Sequence, residues 1–412
     1  MTLRVVVVEH EVGERVPLLL DEAGFPIPGP CEWLLDRRQM AANTLMRNAR
    51  ELALFEEWLG ERCIDLDDRI RSSRLFTEAE LKGGLIEKLR FGKPSRDDRS
   101  KSSGITAIKR NQKVIGKPVL PETFNSRLRT VHSYLSWRFT VELGRLSSTD
   151  AIFRRLEKHS QLIDKVFNRA YTAKSPESIG MHDALSDKQL EDFKKIITYR
   201  GSVAYGRHES VKYRNYICAS IMLMYGLRPG ELLSLRVEDV VFGSISEIRV
   251  FRRAADPLDV RLPRPSIKRA GRQLPIDSAT FSRELALYIS KHREILMDRG
   301  DSRDHDYLIV SDEGEPLHPN SLGQYFRIVR SKFSDILPNN LTAKMLRHTF
   351  SIQLERRLME AGISEEDRVT MLMYWRGDTS RDSQQVYINA EIVRQGNAQL
   401  SRYHNDLIIP DF

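Results

Sequence analysis

Apolar residues recur at three- and four-residue steps through most of this chain, and that rhythm limits it to a largely helical fold. Leu45, Ala49, Leu52, Phe55 and Leu59 mark one such face, with Leu54 and Trp58 beside them. Phe124, Leu128, Val131 and Leu135 mark a second, flanked by Tyr134 and Trp137. The aromatics fall on the apolar faces, so they read as core. A third helix spans Tyr213 to Tyr225, carries Ile217, Ile221, Met222, Leu223 and Met224, and stops at Gly226, a residue suited to the position just past a helix end. Helical patterning returns over Phe281 to Met297, Pro319 to Phe333 and Leu346 to Glu360. Strand-like sequence is confined to Leu3 to Val8 and to a patch holding Ile248, Val250 and Phe251, then Gln273 to Ile276, with a turn over 266–272 between them. The expected fold is mainly α with a small antiparallel β-sheet.

At 412 residues there is room for two domains and a short extra segment. Residues 1–37 read as an N-terminal appendage, a hairpin or an arm, ending in the breaker cluster Gly24 to Pro30. Residues 38–160 read as a helical domain and 161–184 as a polar linker. A second domain, 185–395, opens at Ser186, a good N-cap with Gln189 three residues on, which is a capping box. Residues 396–412 form a tail with apolar Leu400, Leu407, Ile408 and Ile409, suited to docking on a neighbouring protomer or to packing within its own chain.

Charge points to a polyanionic partner. Lys and Arg outnumber Asp and Glu by 65 to 57, for a net +8. Between Lys88 and Lys117 lie ten basic residues (Lys88, Arg90, Lys93, Arg96, Arg99, Lys101, Lys109, Arg110, Lys113, Lys117) and two acidic ones, so this stretch alone carries an excess equal to that of the whole chain. It reads as a cationic loop between two helices, a DNA-binding element or a solvated loop. Cys31, Cys63 and Cys218 are few, odd in number and widely spaced, which fits neither a disulfide framework nor a metal site and points to a reducing cytosol. The apolar run Val5 to Val8 is too short for a signal peptide, and no stretch is long enough to span a membrane.

Two arginines and a late tyrosine carry the chemistry. Arg228 lies in Gly226-Leu227-Arg228-Pro229-Gly230-Glu231-Leu232, at a tight turn between helices, where Pro229 suits a first helical turn. Arg347 lies in Leu346-Arg347-His348-Thr349-Phe350, and Lys344 shares its helix face three residues earlier. His348 points about 100° away around that helix and reads as a structural, supporting residue. Guanidinium is always charged and presents a planar fork of donors, which suits the nonbridging oxygens of a phosphodiester. Tyr387 follows a polar loop and offers a phenolate nucleophile once cations lower its pKa. Tyr374 and Tyr403 are rivals for that role, and Arg228 could instead be paired with Glu231 in an ordinary salt bridge.

The Gly-Leu-Arg-x-x-Glu-Leu segment, the Leu-Thr-x-x-x-Leu-Arg-His-Thr-Phe segment and the late tyrosine together resemble the tyrosine recombinases, or phage-type integrases. The resemblance is specific over roughly 185–395 and weaker over 38–150, where Asn43-Thr44-Leu45 and Thr123 to Leu128 are similar to the helical, SAM-like core-binding domain. It implies that Arg228 and Arg347 bind the scissile phosphate and that Glu231 supports the first arginine. Lys268, on the turn before Gln273, matches the lysine that protonates the 5′-oxygen leaving group, with Arg269 and Arg272 as alternatives if the register differs, and otherwise DNA contacts. Tyr387 would form the 3′-phosphotyrosyl link. Two positions depart from the family. Lys344 stands where a histidine is usual, and Trp375 is the best match to the family's His or Trp before the tyrosine, at a spacing longer than usual.

The resemblance further implies double-stranded DNA as substrate, a homo-tetramer on paired sites, accessory proteins as further candidate partners, and a nucleoid-associated cytoplasmic location. No metal, ATP or other cofactor is expected. A type IB topoisomerase uses the same chemistry as a monomer, and a DNA-binding regulator with a decayed active site is the remaining alternative.

Overall fold

The computed structural model describes residues 3–11, 13–72, 74, 76–92, 116–172, 184–198, 206–244, 246–254, 256–265, 267, 271–300 and 305–378. The chain divides into two compact units, Met1–Pro176 and Glu177–Phe412.

The first unit opens with a hairpin of β1 (Arg4–Glu9) and β2 (Arg15–Leu20), paired antiparallel with Val6 opposite Leu18. Alternate residues of β2 point inward, and Leu19 is fully buried. The hairpin packs on the Ala42–Glu61 helix, and the Pro28–Asp36 helix adds Trp33 and Leu34 to the core. Within the first 37 residues, Trp33 and Leu34 thus join this unit's core and Val5 packs against it. Helices Pro121–Leu143 and Ala151–Ala170 complete the unit. The latter brings Ile163, Val166 and Phe167 into the core with Phe55, Trp58, Leu128 and Leu135, so residues expected to begin a linker at 161 remain helical to Ala170. Its amphipathic face fixes this, since these three apolar residues share one stripe.

The two described ends of the basic stretch are bonded to each other. Gly92 N donates to Lys117 O at 3.0 Å, and Val119 N donates to Arg90 O at 3.0 Å.

The second unit is built around helix Glu209–Tyr225, whose Ile217, Ile221 and Met222 are fully buried. Ser186 and Gln189 form the expected capping box ahead of helix Asp187–Ile196. The expected sheet is present, with a short extra strand: β3 (Val240–Val241), β4 (Glu247–Val250) and β5 (Arg272–Pro275), in the order β3-β4-β5, all antiparallel. Ile248 pairs Leu274 and Val250 pairs Arg272, and all four side chains are buried. Helices Ala279–Leu287, Pro319–Lys332, Ala343–Glu360 and Glu365–Arg376 pack around this core. Among the described residues no helix is long and apolar enough to cross a membrane.

Candidate active site

Gly226 ends the central helix in the left-handed region at φ 60°, and a Cβ there would lie 2.3 Å from Phe350 Cδ1. Glycine is thus demanded both by backbone and by packing. The turn it makes delivers Arg228 to the start of the short helix Pro229–Leu232. Glu231, one turn on, accepts the Arg228 backbone N–H at 2.9 Å with Oε2 and its Nη1 at 2.9 Å with Oε1.

Glu231 also anchors a second arginine. Arg272 Nη2 donates to Oε2 at 2.8 Å and Nη1 to Oε1 at 3.3 Å, and both side chains are 1% exposed. Burial pushes the Glu231 carboxyl up, but the bond and charge of Arg272, together with Arg228, outweigh it and hold Glu231 below the ordinary carboxylate range.

Arg347 approaches from the Ala343–Glu360 helix, which Thr342 caps by accepting Met345 N–H. Its Nη1 donates to Gly226 O at 2.6 Å and its Nη2 to Arg376 O at 2.9 Å. Burial, then the charges of Arg376 and Arg228, push this guanidinium down to about 9, against the pull of Asp378 and Glu231. It stays cationic at neutral pH, but among like charges it is held at a cost that an anion relieves.

Asp378 supplies such an anion. It follows Gly377, which ends the Glu365–Arg376 helix at φ 60°. Arg347 Nη2 lies 3.1 Å from Asp378 Oδ1 and 3.2 Å from Oδ2, Arg376 Nε donates to Oδ2 at 2.8 Å, and Arg228 Nη2 donates to Oδ1. Arg376 Nη1 donates in turn to Ser351 Oγ. Four guanidiniums (Arg228, Arg272, Arg347, Arg376) thus surround two carboxylates (Glu231, Asp378), which leaves a net positive site. Arg228 is the most open of the four, at 29% side-chain exposure.

Arg228, Arg347 and Glu231, expected to work together, lie together. Lys344 is exposed on the first turn of the Arg347 helix, and His348 is half-buried behind it. Two expectations are corrected. Arg272 was expected at DNA, but strand register places it on the inward face beside Leu274, where Glu231 seals it. Trp375 packs its half-buried ring against the hydrophobic core and reaches the arginines only through its carbonyl, which accepts Arg272 Nε at 2.8 Å. The side chain on the arginines is Asp378, which the sequence reading missed. Its signal was Gly377: a glycine closing a helix reverses the chain, here back over the site, and Asp378 is closer to Tyr387 in sequence than Trp375 is.

Lys268, Arg269 and Tyr387 lie outside the described residues, as do Lys93, Arg96, Arg99, Lys101, Lys109, Arg110 and Lys113. Of the remaining cations in the basic stretch, Lys88 is drawn to Glu61 at 2.8 Å and Glu57 at 4.0 Å, so it is neutralised within its own unit. Arg90 lies 3.6 Å from Glu87 and sits over the Phe124 ring, and Lys117 is exposed. Among the described residues, no group of three or more His, Cys, Asp or Glu side chains is placed to hold a metal ion.

A buried arginine cluster held by two carboxylates thus lies at the junction of several helices and a three-stranded sheet. Residues 184–377 match the model of the phage integrase family, so this chain carries a domain of that family. No curated protein sequence matches it. Among solved structures it is similar to the Tn1549 transposon integrase in complex with transposon right end DNA, at 15% identity and TM-score 0.50, covering 90% of this chain and 98% of that one. That likeness bears on fold. XerH site-specific recombinase bound to difH (15% identity, 87% and 80% covered, TM-score 0.49) and a lambda integrase dimer bound to a COC' core site (15%, 86% and 92%, TM-score 0.46) also match.

Proposed function

We propose that this protein cleaves and rejoins double-stranded DNA through a 3′-phosphotyrosyl intermediate, as a homo-tetramer on paired sites in the cytoplasm. The observation that carries the reading is the convergence of Arg228 and Arg347, from helices far apart in sequence, on one set of carboxylate oxygens. Donors that hold a carboxylate this way are placed for the nonbridging oxygens of a phosphodiester, where charge grows in the transition state. Glu231 keeps Arg228 aimed, and Lys344, exposed one turn before Arg347, is a further donor to the phosphate.

The Tyr387 phenolate attacks phosphorus, and the bond to the 5′-oxygen breaks. Lys268 gives that oxygen a proton and takes it back when the strand is rejoined. The ester conserves the energy of the broken bond, so rejoining draws on no ATP. Cations of the 88–117 stretch, apart from Lys88, would contact backbone phosphates and make binding salt-dependent.

The test is a nicked suicide duplex made from DNA flanking the gene, incubated with the full chain. The expected product is a covalent adduct whose modified peptide contains Tyr387, absent in Tyr387→Phe. An adduct on another tyrosine, or equal strand exchange by Tyr387→Phe, would overturn the assignment. Strand exchange between two sites, rather than relaxation of one supercoiled circle, separates a recombinase from a topoisomerase.

A further inference from the structure

We propose that Asp378 is a resident occupant of the arginine cradle, an internal stand-in for the phosphodiester that the DNA phosphate must displace. This rests on the reading of Arg228 and Arg347 as the phosphate grip. A carboxylate carries one negative charge on two oxygens, as does the nonbridging edge of a phosphodiester. Asp378 presents both oxygens to Arg347, one to Arg228 and one to Arg376. Its side chain is 6% exposed and engages donors of Arg228, Arg347 and Arg376 at once.

The cradle is charged so that it must hold an anion. Glu231 is shared between Arg272 and Arg228, and one carboxylate does not offset the mutual repulsion of Arg228, Arg347 and Arg376. Asp378 answers that repulsion from one residue beyond Gly377, a helix end whose φ of 60° sets the direction of the chain. Rotation of one short side chain vacates the position. Two anions on one set of donors repel, so occupancy by Asp378 and by phosphate excludes one another. The alternative is a strut: a carboxylate that stays in place and holds the arginines for the incoming phosphate. The two differ in sign. An occupant lowers anion affinity, whereas a strut raises it.

The experiment titrates inorganic phosphate into the full chain by calorimetry, for wild type, Asp378→Asn, Asp378→Ala and Asp378→Glu. Releasing charge-assisted bonds to the guanidiniums is expected to tighten phosphate binding by about tenfold or more in Asp378→Asn and Asp378→Ala. Asp378→Glu, which keeps the charge, is expected to stay within about twofold of wild type. Should the neutral variants be too unstable to titrate, added formate refills the vacated position: it raises the melting temperature of Asp378→Ala and leaves wild type unmoved. Equal or weaker phosphate binding in Asp378→Asn, or no formate effect on a marginal Asp378→Ala, would sink the proposal. Its failure is distinguishable from that of the strand-transfer reading. A wild-type adduct at Tyr387 with no gain in Asp378→Asn removes the occupant alone. A gain in phosphate affinity with no adduct from any chain removes the strand transfer alone.

Discussion

Replacing Glu231 with glutamine keeps the shape of the side chain and removes its charge. Both Glu231 and Arg272 are 1% exposed, so solvent cannot screen what is left. The Arg272 guanidinium then remains buried against a neutral amide, and the amide nitrogen, being a donor, faces guanidinium donors at one of the two positions now 2.8 and 3.3 Å from Arg272. Breaking one side of a buried ion pair costs about 3–5 kcal/mol. The surviving amide oxygen keeps one acceptor, which favours the lower end, roughly 3 kcal/mol. For a unit of this size each kcal/mol moves the melting temperature by about 2–4 °C, so Glu231→Gln should melt roughly 6–12 °C below wild type by calorimetry. Replacing both partners with apolar residues, Glu231→Leu with Arg272→Met, should recover a large part of that loss, because no buried charge is stranded. The loss also depends on pH. Glu231 is held below its ordinary range when folded, so its stabilisation is present at neutral pH and fades as pH falls below about 4. A Glu231→Gln chain that melts within about 1 °C of wild type at neutral pH would refute the account of Glu231 as the hub of the cradle.

Three further outcomes follow from the geometry. Gly226→Ala and Gly377→Ala each place a Cβ at φ 60°, 2.3 Å from Phe350 Cδ1 and 2.5 Å from Arg272 Nη1 respectively, and should each destabilise the second unit by about 2 kcal/mol or more in urea unfolding. Folded protein should react with a maleimide at one cysteine, the exposed Cys63, because Cys31 and Cys218 are buried and burial pushes the Cys218 thiol up to about 12; rapid labelling of all three would contradict the packing. Burial, then the nearby Asp67, push the carboxyl of Glu56 up to about 7 against the pull of Arg138. Its neutral form is the favoured one when folded, so stability is full below about pH 4 and is lost as pH rises through 7. Glu56→Gln should therefore match wild type at pH 4.5 and exceed it at pH 8.5 by roughly 2 kcal/mol.

Most helices were legible because their apolar stripes are regular, and the sheet because Ile248 and Leu274 sit in short β-branched or apolar runs bounded by turns. Residues 161–170 were harder. Their stripe is sparse, and the charged residues around it read as linker until Phe167 is seen filling the core. The hairpin looked like an arm because the breaker cluster Gly24 to Pro30 separates it from the first long helical stripe, yet Leu19 is fully buried. At the site, Arg228 and Arg347 stood out because each lies at a helix start in a distinctive setting. Arg272 misled, since an arginine near a turn reads as exposed unless strand register is known. Asp378 stayed hidden because its role depends on which way the chain leaves Gly377, and a single positive φ decides that.

The pair of backbone bonds joining Arg90 to Val119 and Gly92 to Lys117 pins two chain positions about 25 residues apart side by side. For a flexible connection between two such pinned positions, closure entropy rises only slowly with length, about 0.6 kcal/mol for each doubling. Changes of length or sequence between those two positions are therefore expected to leave the packing of Phe55, Trp58 and Leu128 as it is.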